Sequence, residues 1–357
     1  MTQRAIVVAV ETRALHAAID VELDEFEALA QAAGAKILER IVQRRDAVDA
    51  ATLVGSGKAS EIAQRAQEQR ADLLLVLNDL RPRQRKNLEK IIPLPIVDRT
   101  MLILDVFARY ARSREGKLQV ELAQLRYRQS NLIGAAADLS RLGGGIGTRG
   151  PGETKLEVDR RRIAQRIAAL NVALQNIRTQ RAQRRSGAQR EPLVALVGYT
   201  NVGKSSLLNA MARTDAYVAD RPFATLDPTI RRAYLAPGSY VRMADTVGFI
   251  TDLPKELVTA FRATLEELQE ADLLLHVLDA SNAQWLRQRR AVEAILAQLE
   301  LDGVPALTVF NKCDRAVAEA LGQTDALYVS AKTREGLDSL RAAIHQRVAA
   351  INDEAKV

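Results

Sequence analysis

The sequence has 357 residues, 47% hydrophobic and 27% charged, an ordinary globular mixture with room for two or three domains. The formal net charge of +7 makes an acidic partner plausible without identifying it. One cysteine, Cys313, excludes an intrachain disulfide and suits a reducing compartment. The apolar run Ala5–Val10 is too short for a signal peptide, and no stretch approaches the about 20 apolar residues that span a bilayer, so a cytoplasmic chain is expected.

Residues 1–110 alternate between strand and helix patterns, which predicts a small α/β domain. Ile6–Val10 reads as a buried strand. Leu23, Phe26, Leu29 and Ala30 then recur at helical spacing, with Gly34 as a stop. Ala35–Val42 and Asp72–Asn78 read as strands, Pro82 suits the first turn of a helix, and Ile96-Val97 is a short strand. Thr100 is a candidate cap for the following helix. Gly55-Ser56-Gly57-Lys58 opens a helix. It is half of a phosphate loop, without the spaced first glycine or the hydroxyl residue after lysine. It reads either as a turn with a solvated lysine or as a second nucleotide contact, a weak ATP site.

Residues 111–190 predict a helical hairpin. Leu118, Leu122, Leu125 and Leu132 share one helix face. Ile163, Ile167, Leu170, Leu174 and Ile177 step four, three, four, three, an a/d seam. The connection from Leu142 to Lys155 holds the glycine-rich loop 143–152, which predicts a mobile, non-helical tip able to lie close against a surface. Basic residues dominate the region, Arg160-Arg161-Arg162, Arg166 and Arg181 among them. A positive hairpin with a bare tip suits folded RNA, which is read largely by shape and phosphate; a solvated helix face is the alternative.

Residues 191–357 carry the chemistry. Leu193–Val197 is an apolar strand, followed by Gly198-Tyr199-Thr200-Asn201-Val202-Gly203-Lys204-Ser205 and then a helix pattern. Strand, G-x-x-x-x-G-K-S and helix form the phosphate-binding loop in its required context. Backbone N–H groups point at phosphate oxygens, Lys204 is expected to reach the β- and γ-phosphates, and Ser205 to hold Mg²⁺. Asp245-Thr246-Val247-Gly248 ends a strand. Asp245 is expected to bind Mg²⁺ through water, and the Gly248 N–H to meet the γ-phosphate. Between them lies Phe223-Ala224-Thr225-Leu226-Asp227-Pro228-Thr229. Thr225, preferred over Thr229, is the expected threonine of the Mg²⁺ shell. Asn311-Lys312-Cys313-Asp314 follows another strand, and the Asp314 carboxylate can accept from guanine N1–H and its exocyclic amine. Ser330-Ala331-Lys332 follows the last strand, where the Ala331 N–H is expected to meet guanine O6. Together, in order and each after a strand, these motifs predict a guanine-nucleotide site.

These residues look like the G domain of the translation-factor-related GTPases, a Ras-like, mostly parallel sheet with helices on both faces. Gly143 to Arg162, Gly198 to Ser205, Phe223 to Pro228 and Asp98 through Arg128 resemble the HflX family of ribosome-associated GTPases. The resemblance implies GTP hydrolysis, binding to the large ribosomal subunit, contact of the hairpin with ribosomal RNA, and a role in ribosome dissociation or rescue under stress. Some members are described as having an ATP-linked activity in the N-terminal domain. The sequence stops at Val357, so contacts that longer members make through a further C-terminal domain are not expected. A monomer is expected. Lys204, Thr225 and Gly248 are the residues assigned to catalysis. Phe249 stands where many small GTPases carry a water-orienting glutamine, which predicts slow intrinsic hydrolysis, of the order of 10⁻⁴ to 10⁻² s⁻¹, and acceleration by a partner. Asn201 stands where potassium-dependent GTPases carry an asparagine, so K⁺ is a candidate for the arginine-finger role. The alternatives are an assembly GTPase on ribosomal RNA precursors, an ATP-driven RNA remodelling enzyme, and a signalling switch with a protein partner. His16, His276 and His345 lack metal-site spacing, and Trp285 reads as packing.

Overall fold

The computed structural model describes residues 2–12, 19–142, 151–185, 191–213, 222–223, 229–251, 253–254, 257, 270–316 and 326–354. They form two compact units, Met1–Arg109 with Leu118–Ala173, and Tyr110–Lys117 with Leu174–Val357. No helix among the described residues is long and apolar enough to cross a membrane.

The first unit is built on a four-stranded parallel sheet in the order β2-β1-β3-β4, from β1 (Gln3–Glu11), β2 (Ala35–Arg44), β3 (Leu73–Val76) and β4 (Ile96–Asp98). The central strand β1 is apolar and fully buried from Ala5 to Val10, as a parallel strand covered on both faces must be. The edge strand β2 is half-exposed and charged, which discourages pairing with another chain. Its Arg40 binds Asp24 and Glu27 of α1 (Ile19–Ala32). Asn78, just past β3, extends the ladder with its side chain, accepting from Val10 N–H at 2.7 Å and donating to Val10 O at 3.1 Å.

Helices α2 (Ser56–Glu68), α3 (Pro82–Ile91) and α4 (Arg99–Tyr110) cover the sheet. Thr100 does not cap α4. The Met101 N–H donates to Asp98 Oδ1 at 2.9 Å, and Thr100 Oγ1 instead donates to Asp79 at 2.9 Å. Asp98 is the better cap because it stands before the helix, where its carboxylate faces the free amides of the first turn.

The hairpin is α5 (Arg114–Leu142) and α6 (Pro151–Arg185). The a/d seam is the side of α6 turned inward: Leu170 and Leu174 are buried, and Ile163, Ile167 and Ile177 half-buried. The expected loop is shorter than its glycines suggested. Helix α6 begins at Pro151 and takes in Gly152 to Lys155, because proline at the first helical position has no N–H to lose and its φ is already helical. Residues 143–150 lie outside the described residues.

The second unit carries a six-stranded sheet in the order β10-β9-β8-β5-β7-β6. Its strands are β5 (Leu193–Gly198), β6 (Thr229–Ala236), β7 (Ser239–Asp245), β8 (Leu273–Asp279), β9 (Ala306–Asn311) and β10 (Ala326–Tyr328). All pairings are parallel except β6–β7. Helices α7 (Lys204–Ala212), α8 (Trp285–Gln298) and α9 (Leu337–Glu354) complete the described part. Trp285 packs edge-on against Phe310 at 5.1 Å, and Phe310 stacks on Tyr328 at 5.4 Å. Strands β5, β7, β8, β9 and β10 therefore deliver their C-terminal ends to one side of the sheet, where open α/β sheets bind ligands.

Candidate nucleotide site

The loop after β5 turns at glycines that no other residue replaces. Gly203 has φ +92°, and a Cβ there would stand 2.3 Å from the Asn311 amide nitrogen. A Cβ on Gly198 would stand 2.3 Å from the Val277 carbonyl oxygen. Asn201 also adopts a left-handed φ of 60°, which asparagine tolerates better than most residues. Lys204, first residue of α7, is buried, and its Nζ donates to Gly198 O at 3.0 Å and Tyr199 O at 2.8 Å. Burial lowers its ammonium to about 8, against the opposing pull of the Asp245 charge.

Ser205 Oγ donates to Asp245 Oδ2 at 2.5 Å. The loop hydroxyl and the carboxylate ending β7 thus meet as two hard oxygen donors, a donor set suited to Mg²⁺. Thr246 is buried and its hydroxyl donates to Leu196 O at 2.6 Å, fixing the turn that carries Val247 and Gly248. Beyond it, the Phe249 N–H donates to Gly198 O at 3.1 Å and the Thr200 N–H to Phe249 O at 2.8 Å. Phe249 is buried with 1% exposure, so its ring faces no solvent.

The base-recognition motifs are tied to the same loop. Asn311 Nδ2 donates to Val202 O at 2.9 Å, and its Oδ1 accepts from the Ala331 N–H at 3.0 Å. The Ala331 amide, expected to face guanine O6, is held here by Asn311. Lys312 Nζ donates to Asn201 O at 2.8 Å and to Asp279 Oδ2 at 2.6 Å. Asp279 in turn accepts from Ser281 N–H and hydroxyl at 2.9 and 2.6 Å. The motifs gave no notice of Asp279; its only sequence signal is a carboxylate closing the apolar run Leu273–Leu278. Asp314 is exposed, and a hydrogen bond from Ser330 lowers its carboxyl below the ordinary carboxylate range. Burial and the charges of Glu335 and Asp314 push the Cys313 thiol up, away from a reactive thiolate. Lys332 is exposed beside this group.

Phe223 is buried, while Ala224–Pro228, including Thr225, lie outside the described residues. Thr229 opens β6 and pairs with Asp245 across the antiparallel ladder. In the first unit, Lys58 Nζ binds both carboxylate oxygens of Glu61 at 2.8 and 2.9 Å, and Ser56 and Gly57 already belong to α2. That lysine is engaged along its own helix.

A second feature is a run of basic residues on α6. Arg160, Arg161 and Arg162 are exposed, whereas Arg166 is held by Glu121 of α5 at 2.7 and 2.9 Å.

Three family models match successive parts of the chain. Residues 20–108 match the family description "GTP-binding GTPase N-terminal", 110–188 "GTP-binding GTPase Middle Region", and 193–312 "50S ribosome-binding GTPase". The GTPase HflX of Caldanaerobacter subterraneus subsp. tengcongensis is 47% identical over 97% of this chain and 81% of its own length. That of Alkalihalophilus pseudofirmus is 45% identical over 90% of this chain and 77% of its own. The crystal structure of SsGBP with GDP superposes with a TM-score of 0.53 at 23% identity, covering 96% of this chain and 98% of that one, a likeness of fold.

Proposed function

The chain belongs to the HflX family of GTPases, and from that premise we propose that it is a GTP-driven switch gated by the large ribosomal subunit. The observation that carries the partner is the exposed Arg160-Arg161-Arg162 run on α6, close in sequence to the glycine segment 143–150. Three adjacent positive charges on an exposed helix suit a phosphate backbone, and the family description over 193–312 names the 50S ribosome. The role we propose for it is ribosome dissociation or rescue under stress, in the cytoplasm.

In the reaction, residues 198–205 cradle the phosphates with backbone N–H groups. Lys204 turns from the Gly198 and Tyr199 carbonyls to the β- and γ-phosphate oxygens. Ser205 and Asp245 would hold Mg²⁺, which when bound supplies positive charge across those oxygens. Thr225 is proposed to join that shell, in preference to Thr229 at the first position of β6. Gly248 offers its amide to the γ-phosphate. Asp314 accepts from guanine N1–H and the exocyclic amine, while Asn311 and Ala331 fix the wall of the base pocket. Phe249 offers no group to orient water, so the chain alone hydrolyses slowly, and ribosomal contact supplies the missing order. Asn201 is exposed on the loop, and its proposed role is to bind K⁺ as the added cation; equal ribosome-stimulated rates in Na⁺ and K⁺ would remove that role.

The test is GTP turnover with and without purified large subunits, with ATP run in parallel. Strong stimulation of GTP turnover is expected. Unstimulated GTP turnover with comparable ATP turnover would overturn the ribosomal reading and direct attention to Lys58.

A further inference from the structure

Tyr199, the first variable residue of the phosphate loop, is nearly fully buried, and its ring spans from that loop to the segment after Gly248. Its hydroxyl accepts from the Thr251 N–H at 2.8 Å and shares a hydrogen bond with Thr251 Oγ1 at 2.8 Å. The backbone rungs between Gly198, Thr200 and Phe249 pair the same two segments, with Tyr199 and Phe249 bridged in parallel. Residues 249–251 are therefore laced to the phosphate loop by backbone and side chain together.

This lacing has a steric consequence. A lone Cβ on Gly248 would already stand 2.9 Å from Thr200 Cα and 3.1 Å from Lys204 Nζ. The space bounded by Gly248, Thr200 and Lys204 is where a γ-phosphate must lie if Lys204 and the Gly248 amide both bind it. Gly248 is thus packed against the loop at Thr200, and seating a γ-phosphate between Lys204 and the Gly248 amide calls for withdrawal of Gly248. Thr251, three residues on, is bonded to the Tyr199 hydroxyl and resists that withdrawal.

We propose that Tyr199 is a positioning residue whose hydroxyl latches Thr251 and so biases the switch against the γ-phosphate. GDP binds with the latch closed; GTP binds by opening it. The latch lowers the affinity for GTP without touching GDP, and a partner that draws residues 249–251 away raises the GTP-bound population. This rests on the nucleotide site proposed above.

The test is equilibrium binding of fluorescent GDP and of a non-hydrolysable GTP analogue to the full chain. Tyr199→Phe removes both hydroxyl bonds and is expected to raise the ratio of GTP-analogue to GDP affinity about threefold to tenfold, the weight of one or two net hydrogen bonds. Thr251→Val removes the hydroxyl–hydroxyl bond and keeps the amide donor, so a smaller shift in the same direction is expected. Hydrogen exchange at the Thr251 amide in the GDP complex should speed up in Tyr199→Phe, a change that a general loss of packing would not confine to that amide. An unchanged ratio, or a shift toward GDP, in a variant that still binds GDP overturns the latch. If Tyr199→Phe does not fold, the Thr251→Val ratio decides alone. If Lys204→Ala binds GTP as tightly as the parent chain, the nucleotide site itself falls, and the latch with it.

Discussion

His276 lies buried in the middle of β8, and its Nε2 has no hydrogen-bond partner among the described residues. Burial lowers its pKa to about 4. The folded pKa is below the ordinary 6.5, so the unfolded chain takes up the proton first. Its stabilising contribution is complete above about pH 6.5 and is lost as pH falls toward 4. Denaturant titrations are expected to show a loss of about 2 kcal/mol between pH 7 and 5, above the main carboxylate range, and His276→Leu should flatten it. At the same scale, Asp314→Asn is expected to reduce discrimination of guanine over adenine nucleotides by at least about tenfold in competition binding. Unchanged discrimination would remove Asp314 from base recognition. The residues proposed to bind nucleotide were legible because each sits in a short motif at the end of an apolar strand. Asp279 was not, because its partner Lys312 is 33 positions away and a single carboxylate after a strand has no pattern of its own. Nor could the motif reveal that the Ala331 amide is taken by Asn311, an arrangement that only the packing of β9 against β10 creates.

At the scale of elements, α5 is joined to the first sheet by a polar cluster. The Tyr127 hydroxyl donates to Asp98 Oδ2 at 2.5 Å, and Arg85 Nη2 binds the same oxygen while lying 3.2 Å from the Tyr127 hydroxyl. Asp98 is 1% exposed. Burial, with the Asp98 charge, pushes the Tyr127 phenol well above its ordinary value, so it remains a donor. Removing Asp98 strands the partly exposed Arg85 charge and the Tyr127 hydroxyl. Asp98→Ala is expected to destabilise the unit by about 2–3 kcal/mol, and Tyr127→Phe by about 1 kcal/mol, in chemical unfolding. A loss under about 1 kcal/mol for Asp98→Ala would show that water replaces the carboxylate. The a/d seam of α6 was legible because periodicity reports a face directly. The cap of α4 was not, since Asp98 and Thr100 are both competent caps by type and only the backbone of β4 decides between them. The start of α6 was obscured by the glycines that precede it, although Pro151 was its marker.

At the scale of the whole molecule, a small α/β unit and a second, mostly parallel sheet were legible from alternating strand and helix patterns, while the order of their strands depends on pairings that no local pattern encodes. The charge is equally a property of the whole chain. If the exposed arginines of α6 meet phosphate, log affinity for large-subunit RNA is expected to fall linearly with log salt. Replacing Arg160, Arg161 and Arg162 by alanine should lower that slope by roughly one for each phosphate no longer neutralised. A slope unaffected by the triple substitution would move the RNA-binding surface elsewhere.

The chain enters the second unit at Tyr110, returns to the first at Leu118, and leaves it for good at Leu174. No single cut can therefore release two whole units. A fragment ending near residue 110 retains Asp98 and Arg85 but is severed from Tyr127, and one beginning near 191 has given up Tyr110–Lys117 and the end of α6. Proteolytic nicking within the hairpin should leave two pieces that stay associated under native conditions and part only when denatured, so dissection of this protein by truncation will report on damaged halves rather than on independent modules.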